Sequence, residues 1–345
     1  MPTVGEALWR MGREPLLFAA VLLALWVMLV NGWTDAPGAI ATAVATRSVS
    51  MGRAVAMAAG MNLLGAWGMT LLSPGVAFTL RDMADPGPHP AGSRILMCGG
   101  LAAVLIWAVA AWRFGIPTSE SHALIAGLTG AAVAVRGDWA GVRWALWGRV
   151  LAGLALSVAV SFGAGALLTR GIEGLCRRWG RPAAQRLFRR AQVAAGAATA
   201  FMHGAQDGQK FMGILLFCLS GPGGEGPVPL WLILLCGGVM GIGTGLGGGR
   251  IVKTVGMDMV RLSPHQGFAA DGAASLTLLL CSLLGLPVST TNAKTGAVMG
   301  AGAARRLAAV DWRVAGEMLT AWILTFPGCG GLGYLTARIC LRFFS

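Results

Sequence analysis

Eight apolar runs, each about long enough to cross a bilayer, limit what this chain can fold into. They fall at roughly 15–31, 51–74, 94–113, 145–169, 192–218, 229–247, 264–284 and 312–337. A hydrocarbon core of about 30 Å needs about 20 helical residues. Within lipid, each segment must satisfy its own backbone hydrogen bonds, which favours helices. Shorter stretches near 35–47, 119–135 and 289–304 are apolar but interrupted by Gly, Pro and polar residues. The pattern predicts an all-α polytopic membrane protein with about ten to twelve membrane segments, some of them broken or re-entrant. Composition agrees: 12% of residues are charged and mean hydropathy is +0.68, against about 25% charged in soluble domains. Arg10, Arg13 and Glu14 precede the first run, which leads into a polar motif rather than a small-residue cleavage site. No cleavable signal peptide is expected.

The net charge of +13 invites a nucleic-acid reading, and its placement argues against one. Seven arginines (Arg170, Arg177, Arg178, Arg181, Arg186, Arg189, Arg190) share one segment with a single acid, Glu173. Under the positive-inside rule this is a cytoplasmic loop. It suits contact with anionic lipid, or docking of a cytoplasmic regulator. The loop at 221–229 holds no Lys or Arg and is expected outside. The seven cysteines are scattered with no CxxC, so they read as small buried hydrophobes. No metal cluster and no catalytic residue is expected.

The chain repeats itself. Asn31-Gly-Trp-Thr-Asp35 matches His203-Gly-Ala-Gln-Asp207 at an offset of 172 residues, with Gly and Asp identical. GIPTSESHALIAG (115–127) matches GLPVSTTNAKTG (285–296) at an offset of 170, pairing Ser119 with Ser289 and Ser121 with Thr291. Each half therefore runs G-x-x-D, then apolar spans, then P-x-S-x-[ST] with a helix behind it. We place the halves at 1–169 and 192–345, with the basic linker 170–191 between them. Paired, interrupted segments at matching positions point to a transporter with its site at the repeat interface.

The polar motifs supply chemistry for such a site. Proline disfavours helix before it, and the serines that follow are good N-caps. Helix N-termini present free N–H groups and partial positive charge, and so bind anions. Ser119 and Ser121, with Ser289, Thr290 and Thr291, would form a cradle for a small tetrahedral oxyanion. Such hydroxyls can also simply cap broken helices or join neighbouring ones. Asp35 and Asp207 are acids beside glycines in apolar surroundings, where a carboxylate costs roughly 2.5–3.5 kcal/mol. Broken-helix carbonyls plus a carboxylate suit a coupling Na⁺; a carboxylate alone can carry H⁺. Asp271 is a third buried-acid candidate, and Asn62 a polar residue inside an apolar span. Only three basic residues are lysines: Lys210, Lys253 and Lys294. A lysine suits a phosphate-like group as a point charge, or snorkels to the interface.

These residues resemble the inorganic phosphate transporter (PiT) family of cation-coupled symporters. The family's two acidic motifs read here NGWTDAPGAIAT (31–42) and HGAQDGQKFMG (203–213). Its hairpins read PTSESH (117–122) and PVSTTN (287–292). GTGLGGGRIV (243–252) and QGFAAD (266–271) are also similar. The resemblance covers about 25–135 and 195–335 and implies inverted repeats, a homodimer and phosphate uptake driven by Na⁺ or H⁺. It implies phosphate binding by Ser119, Ser121, Ser289, Thr290 and Thr291, to which Thr34, Gln206 and Lys294 are added as candidates. For the coupling cation it implies Asp35 and Asp207, with Thr42, Asp271, Asn62 and Glu120 as candidates. No other cofactor is expected.

Five positions depart from the family pattern: Thr34 and Gln206 stand for Asn, Gly38 for Asn, Glu120 for Ser/Thr, and Asn292 for His. Glu120 suits proton coupling, or faces away from the anion. The nearest rival substrate is sulfate, which carries no proton for an acceptor to read, whereas HPO₄²⁻ does. A membrane enzyme acting on lipid phosphates would need a positioned nucleophile and base. His122 beside Ser121 suggests one, but Asn292 replaces the histidine in the second half. A channel would need charged rings or a carbonyl filter, and neither is visible. The expected location is the bacterial inner membrane.

Overall fold

A computed structural model describes residues 2–87, 91–114, 118–221, 226–246 and 260–344. Pro117, Arg250, Lys253, the end of the 243–252 stretch and part of the 221–229 loop lie outside them. The described residues form helices and contain no strand, only one isolated antiparallel bridge between Ala84 and Val142. The helices are α1 (Val4–Arg13), α2 (Pro15–Thr34), α3 (Ala36–Ala45), α4 (Met51–Leu72), α5 (Gly75–Arg81), α6 (Gly92–Phe114) and α7 (Glu120–Arg136). They continue as α8 (Trp144–Leu175), α9 (Arg181–Ser220), α10 (Leu230–Leu246), α11 (Pro264–Leu283), α12 (Thr290–Ala303) and α13 (Trp312–Phe344).

Among the described residues, five stretches are long and apolar enough to cross a membrane: Pro15–Ala45, Met51–Leu72, Gly92–Phe114, Trp144–Leu175 and Trp312–Phe344. Fewer pass than the eight runs expected, and the reason lies in the polar sites. α9 carries His203, Gln206, Asp207, Gln209 and Lys210 in one buried row. α11 carries His265, Gln266 and Asp271, and α10 has only 17 residues. Large apolar side chains such as Leu71, Leu72, Leu167 and Leu284 are left on the outside of the bundle, as a lipid-facing surface requires.

Two local expectations change. The basic linker is mostly helix: α8 runs on to Leu175 and α9 starts at Arg181, leaving the turn at 176–180. Arginine is a good helix former, and Pro182 at the start of α9 suits a helix N-terminus. The two acidic motifs also differ in backbone. The first breaks at Asp35, between α2 and α3, where Pro37 has no N–H to give. The second lies inside the uninterrupted 40-residue α9, where Gln209 stands at the place of Pro37.

Packing repeats with the halves exchanged. α7 packs on α13 and α12 on α8; α4 packs on α9 and α10 on α2; α6 packs on α7 and α11 on α12. The last helix of each half thus holds the hairpin helix of the other. Glycines make both contacts close. A Cβ at Gly130 on α7 would overlap the Gly330 carbonyl of α13, and one at Gly300 on α12 the Phe162 carbonyl of α8. Such small-residue contacts let membrane helices approach backbone to backbone. Gly130 and Gly300 are themselves 170 residues apart.

Candidate functional site

The two hydroxyl motifs meet. Ser119 caps α7, its Oγ accepting from the His122 N–H, and Ser289 caps α12 by accepting from the Asn292 N–H at 3.1 Å. The two caps touch: Ser119 Oγ donates to Ser289 Oγ at 2.8 Å. One turn on, Asn292 Nδ2 lies 3.2 Å from His122 Nε2. Both pairs join positions 170 residues apart. Two helix N-termini therefore face one point inside the protein, and Ser119, Ser121, Ser289 and Thr290 are all buried there.

The acids stand beside these caps. Thr291 Oγ1 donates to Asp35 Oδ1, and Thr290 Oγ1 lies 3.5 Å from both Asp35 Oδ2 and Asp207 Oδ2. Lys210 Nζ donates at 2.6 Å to Asp207 Oδ1, to Ser121 Oγ and to the Val288 carbonyl. Asn31 Nδ2 reaches Asp207 Oδ2 at 3.4 Å. Thr34 Oγ1 lies 3.4 Å from Glu120 Oε1, so Glu120 faces the acidic motif instead of turning away. Its Oε2 is buried without a hydrogen-bond partner among the described residues. Lys210 is 3% exposed and does not snorkel.

One imidazole is fixed by its neighbours. Thr244 Oγ1 gives its proton to the Met240 carbonyl, so it accepts from Asn62 Nδ2 at 2.8 Å. That orients the Asn62 amide, whose Oδ1 then accepts from His203 Nδ1 at 3.1 Å. A neutral His203 therefore carries its proton on Nδ1 and turns a lone pair on Nε2 toward the acids. Nε2 stands 3.2 Å from Asp207 Oδ2, with no aligned hydrogen bond among the described residues. Two lone-pair atoms at that distance repel unless a proton or cation sits between them. Ligand atoms of Asp35, His203 and Asp207 lie within 4.8 Å of one another. A cavity of about 20 Å³, bounded by Asp35, His203, Thr290, Thr291 and Lys294, opens beside them. It has room for a water or a small cation, and is too small for a five-atom oxyanion.

Other candidates lie elsewhere. Gln206 is spent on the approach to the second hairpin: its Nε2 donates to Ser282 Oγ at 2.9 Å and the Leu286 carbonyl at 3.3 Å, and its Oε1 accepts from the Val288 N–H. Thr42, Asp271 and Lys294 form a second cluster with Gln192. The Lys294 ammonium pairs with Asp271 Oδ1, Thr42 Oγ1 donates to Asp271 Oδ2 at 2.7 Å, and Gln192 Nε2 reaches the same oxygen at 2.5 Å. Lys294, expected among the phosphate ligands, is thus held by a carboxylate. His122 packs its ring on Phe326 at 5.0 Å, while Ser121 bonds Lys210, so Ser121 and His122 form no nucleophile–base couple.

Sequence reasoning did not single out His203, Asn31 or Gln192 as site residues. The four-residue spacing of His203 to Asp207, one helical turn, was the available signal for the first. Gln192 carried none, since its partner Asp271 lies 79 residues away.

Comparison with known proteins agrees with this architecture. Residues 31–333 match the phosphate transporter family. A Bacillus subtilis protein described as a probable low-affinity inorganic phosphate transporter is 33% identical, covering 94% of this chain and 97% of its own length. A Rhizobium meliloti protein of the same description is 37% identical, covering 91% and 93%. The solved structure of a sodium-dependent phosphate transporter shares the fold with a TM-score of 0.82 at 21% identity, over 96% of this chain and 100% of that one. With its family model spanning both acidic motifs and both hairpins, the chain belongs to the phosphate transporter family.

Proposed function

We propose that this protein is a symporter that carries inorganic phosphate into the cell with Na⁺ or H⁺ by alternating access. The observation that carries the reading is the charge imbalance at the meeting point of the hairpins. Three carboxylates, Asp35, Glu120 and Asp207, gather near one ammonium, Lys210, and near the unaligned lone pair of His203. A phosphate dianion adds more negative charge. At an effective dielectric constant of 20, each like-charge pair about 4 Å apart costs about 4 kcal/mol. Phosphate binding beside these acids is therefore unfavourable without cations, and binding beside them with cations is favourable. That coupling is what a symporter needs.

In this reading the α7 and α12 N-termini, with Ser119, Ser121, Ser289, Thr290 and Thr291, hold the oxyanion. Asp35 and Asp207, with His203, hold the cation. The halves are inverted repeats that rock against each other. The protein works as a homodimer in the inner membrane, its arginine-rich segment toward cytoplasmic lipid and any regulator. It performs no covalent chemistry. Support comes from the relatives described as phosphate transporters and from the structural neighbour, whose description names sodium.

Uptake of radiolabelled phosphate into proteoliposomes tests the proposal, with a Na⁺ or an H⁺ gradient imposed and excess sulfate present. Accumulation that needs a gradient and resists sulfate is expected. Gradient-independent equilibration, or loss of uptake to sulfate, would overturn it.

A further inference from the structure

The second cluster is built like a cation site with a lysine in it. Around Lys294 Nζ stand a carboxylate, Asp271; a hydroxyl, Thr42 Oγ1 at 3.1 Å; and a main-chain carbonyl, Ala39 O at 3.0 Å. Carboxylate, carbonyl and hydroxyl oxygens are the ligands hard cations take. The hydrogen-bond directions fit a positive centre. Thr42 gives its proton to Asp271, so its lone pairs turn to Lys294 and to Gln192 Nε2 at 3.2 Å. Asp271 is fully buried and Lys294 is 3% exposed. Gln192 Oε1 is a further buried oxygen with no hydrogen-bond partner among the described residues. The charges balance, one acid to one base, whereas the neighbouring Asp35–Asp207 cluster has acids to spare. A desolvated ion pair adds little stability over an apolar pair, so stability alone does not explain its presence.

We infer that the Lys294 ammonium is a tethered cation: it permanently fills an oxygen-lined site that Asp271, Thr42 and the Ala39 carbonyl would otherwise offer to a small monovalent cation such as Na⁺. The lysine lines the same small cavity as Asp35 and Thr291. Its fixed charge stays behind in each cycle, so the Asp271 cluster contributes no travelling ion. Ions that move with the substrate bind at Asp35 and Asp207 alone. This last step rests on the cation-coupled reading above; the identity of the site does not.

The test is thermal unfolding of the purified full chain in detergent, titrated with NaCl against choline chloride at constant ionic strength. Lys294→Met removes the charge and keeps an apolar chain of similar reach. It is expected to gain a saturable, Na⁺-specific rise in Tm of a few degrees beyond the wild-type response. Adding Asp271→Asn to Lys294→Met is expected to restore the wild-type response. A Lys294→Met response equal to wild type would overturn the inference. So would a double variant that lacks a Na⁺ response the wild type has, since Asp271 would then bind Na⁺ beside the lysine. If Lys294→Met fails to fold in saturating Na⁺ while the neutral double variant folds, the site does not accept Na⁺ and the inference falls. The wild-type response reports on Na⁺ coupling separately, because its absence would sink that coupling without touching the component gained by Lys294→Met.

Discussion

Asp35 and Asp207 hold equivalent places in the two halves and keep different company. Asp207 is bonded by Lys210, whose other partners are the uncharged Ser121 hydroxyl and Val288 carbonyl. Asp35 has hydroxyl partners, Thr290 and Thr291. Removing one member of a buried ion pair strands the other, at about 3–5 kcal/mol. Asp207→Asn should therefore lower Tm sharply, while Asp35→Asn, which an Asn carbonyl can follow, should change stability by no more than about 1 kcal/mol. Both should lose cation-dependent uptake in proteoliposomes. Full cation dependence in both variants would remove these acids from the ion site. The hairpin serines offer a second test. Ser119→Ala and Ser289→Ala each delete an N-cap, at about 1 kcal/mol. Because the two hydroxyls bond each other, the double variant should lose less stability than the sum of the singles. Strict additivity in unfolding would mean that the caps do not touch.

Among the helices, the decisive contacts are those where the last helix of one half carries the hairpin helix of the other. Gly130 and Gly300 set how closely they approach. Gly130→Val pushes a branched side chain into the Gly330 backbone, which cannot turn aside, so the bundle must part; a loss of at least about 1–3 kcal/mol is expected. Gly163→Ala on α8 is the control. It meets open space, and a helix-interior Ala should raise stability by about 0.5–1 kcal/mol. Equal Tm for the two variants would argue against this packing. The helices also show where local sequence was a sufficient guide. α7 and α12 begin at the predicted N-caps, because a serine followed by a small-residue run is a local instruction. The continuity of α9 through its acidic motif was not foreseen. Gly204 and Gly208 resemble breakers in a linear reading, yet Gly in a helix costs only about 1 kcal/mol, which close packing on α4 offsets.

For the whole molecule, the arginine-rich turn between α8 and α9 and the Lys-free stretch after α9 should open on opposite sides of the membrane. In a variant lacking the seven native cysteines, a cysteine at Arg178 should react with an impermeant maleimide only from the cytoplasmic side, and one at Gly226 only from outside. Labelling of both from one side would refute the arrangement. The membrane class, the repeat and the two hydroxyl helix starts were all legible in the sequence, because hydropathy, offset and capping act over short windows of chain. Tertiary structure alone decided which polar groups share a site. It set Ser119 against Ser289, brought Ser121 and the Val288 carbonyl to Lys210, gave Lys294 and Thr42 to Asp271, and left His203 Nε2 aimed at the acids without an aligned hydrogen bond among the described residues. The physical reason is that a charge buried among helices must find its counter-charge in space. The partner that satisfies it, Lys294 for Asp271, and the neutral donor beside it, Gln192, are chosen by how the helices pack and leave no mark on their neighbours in the chain.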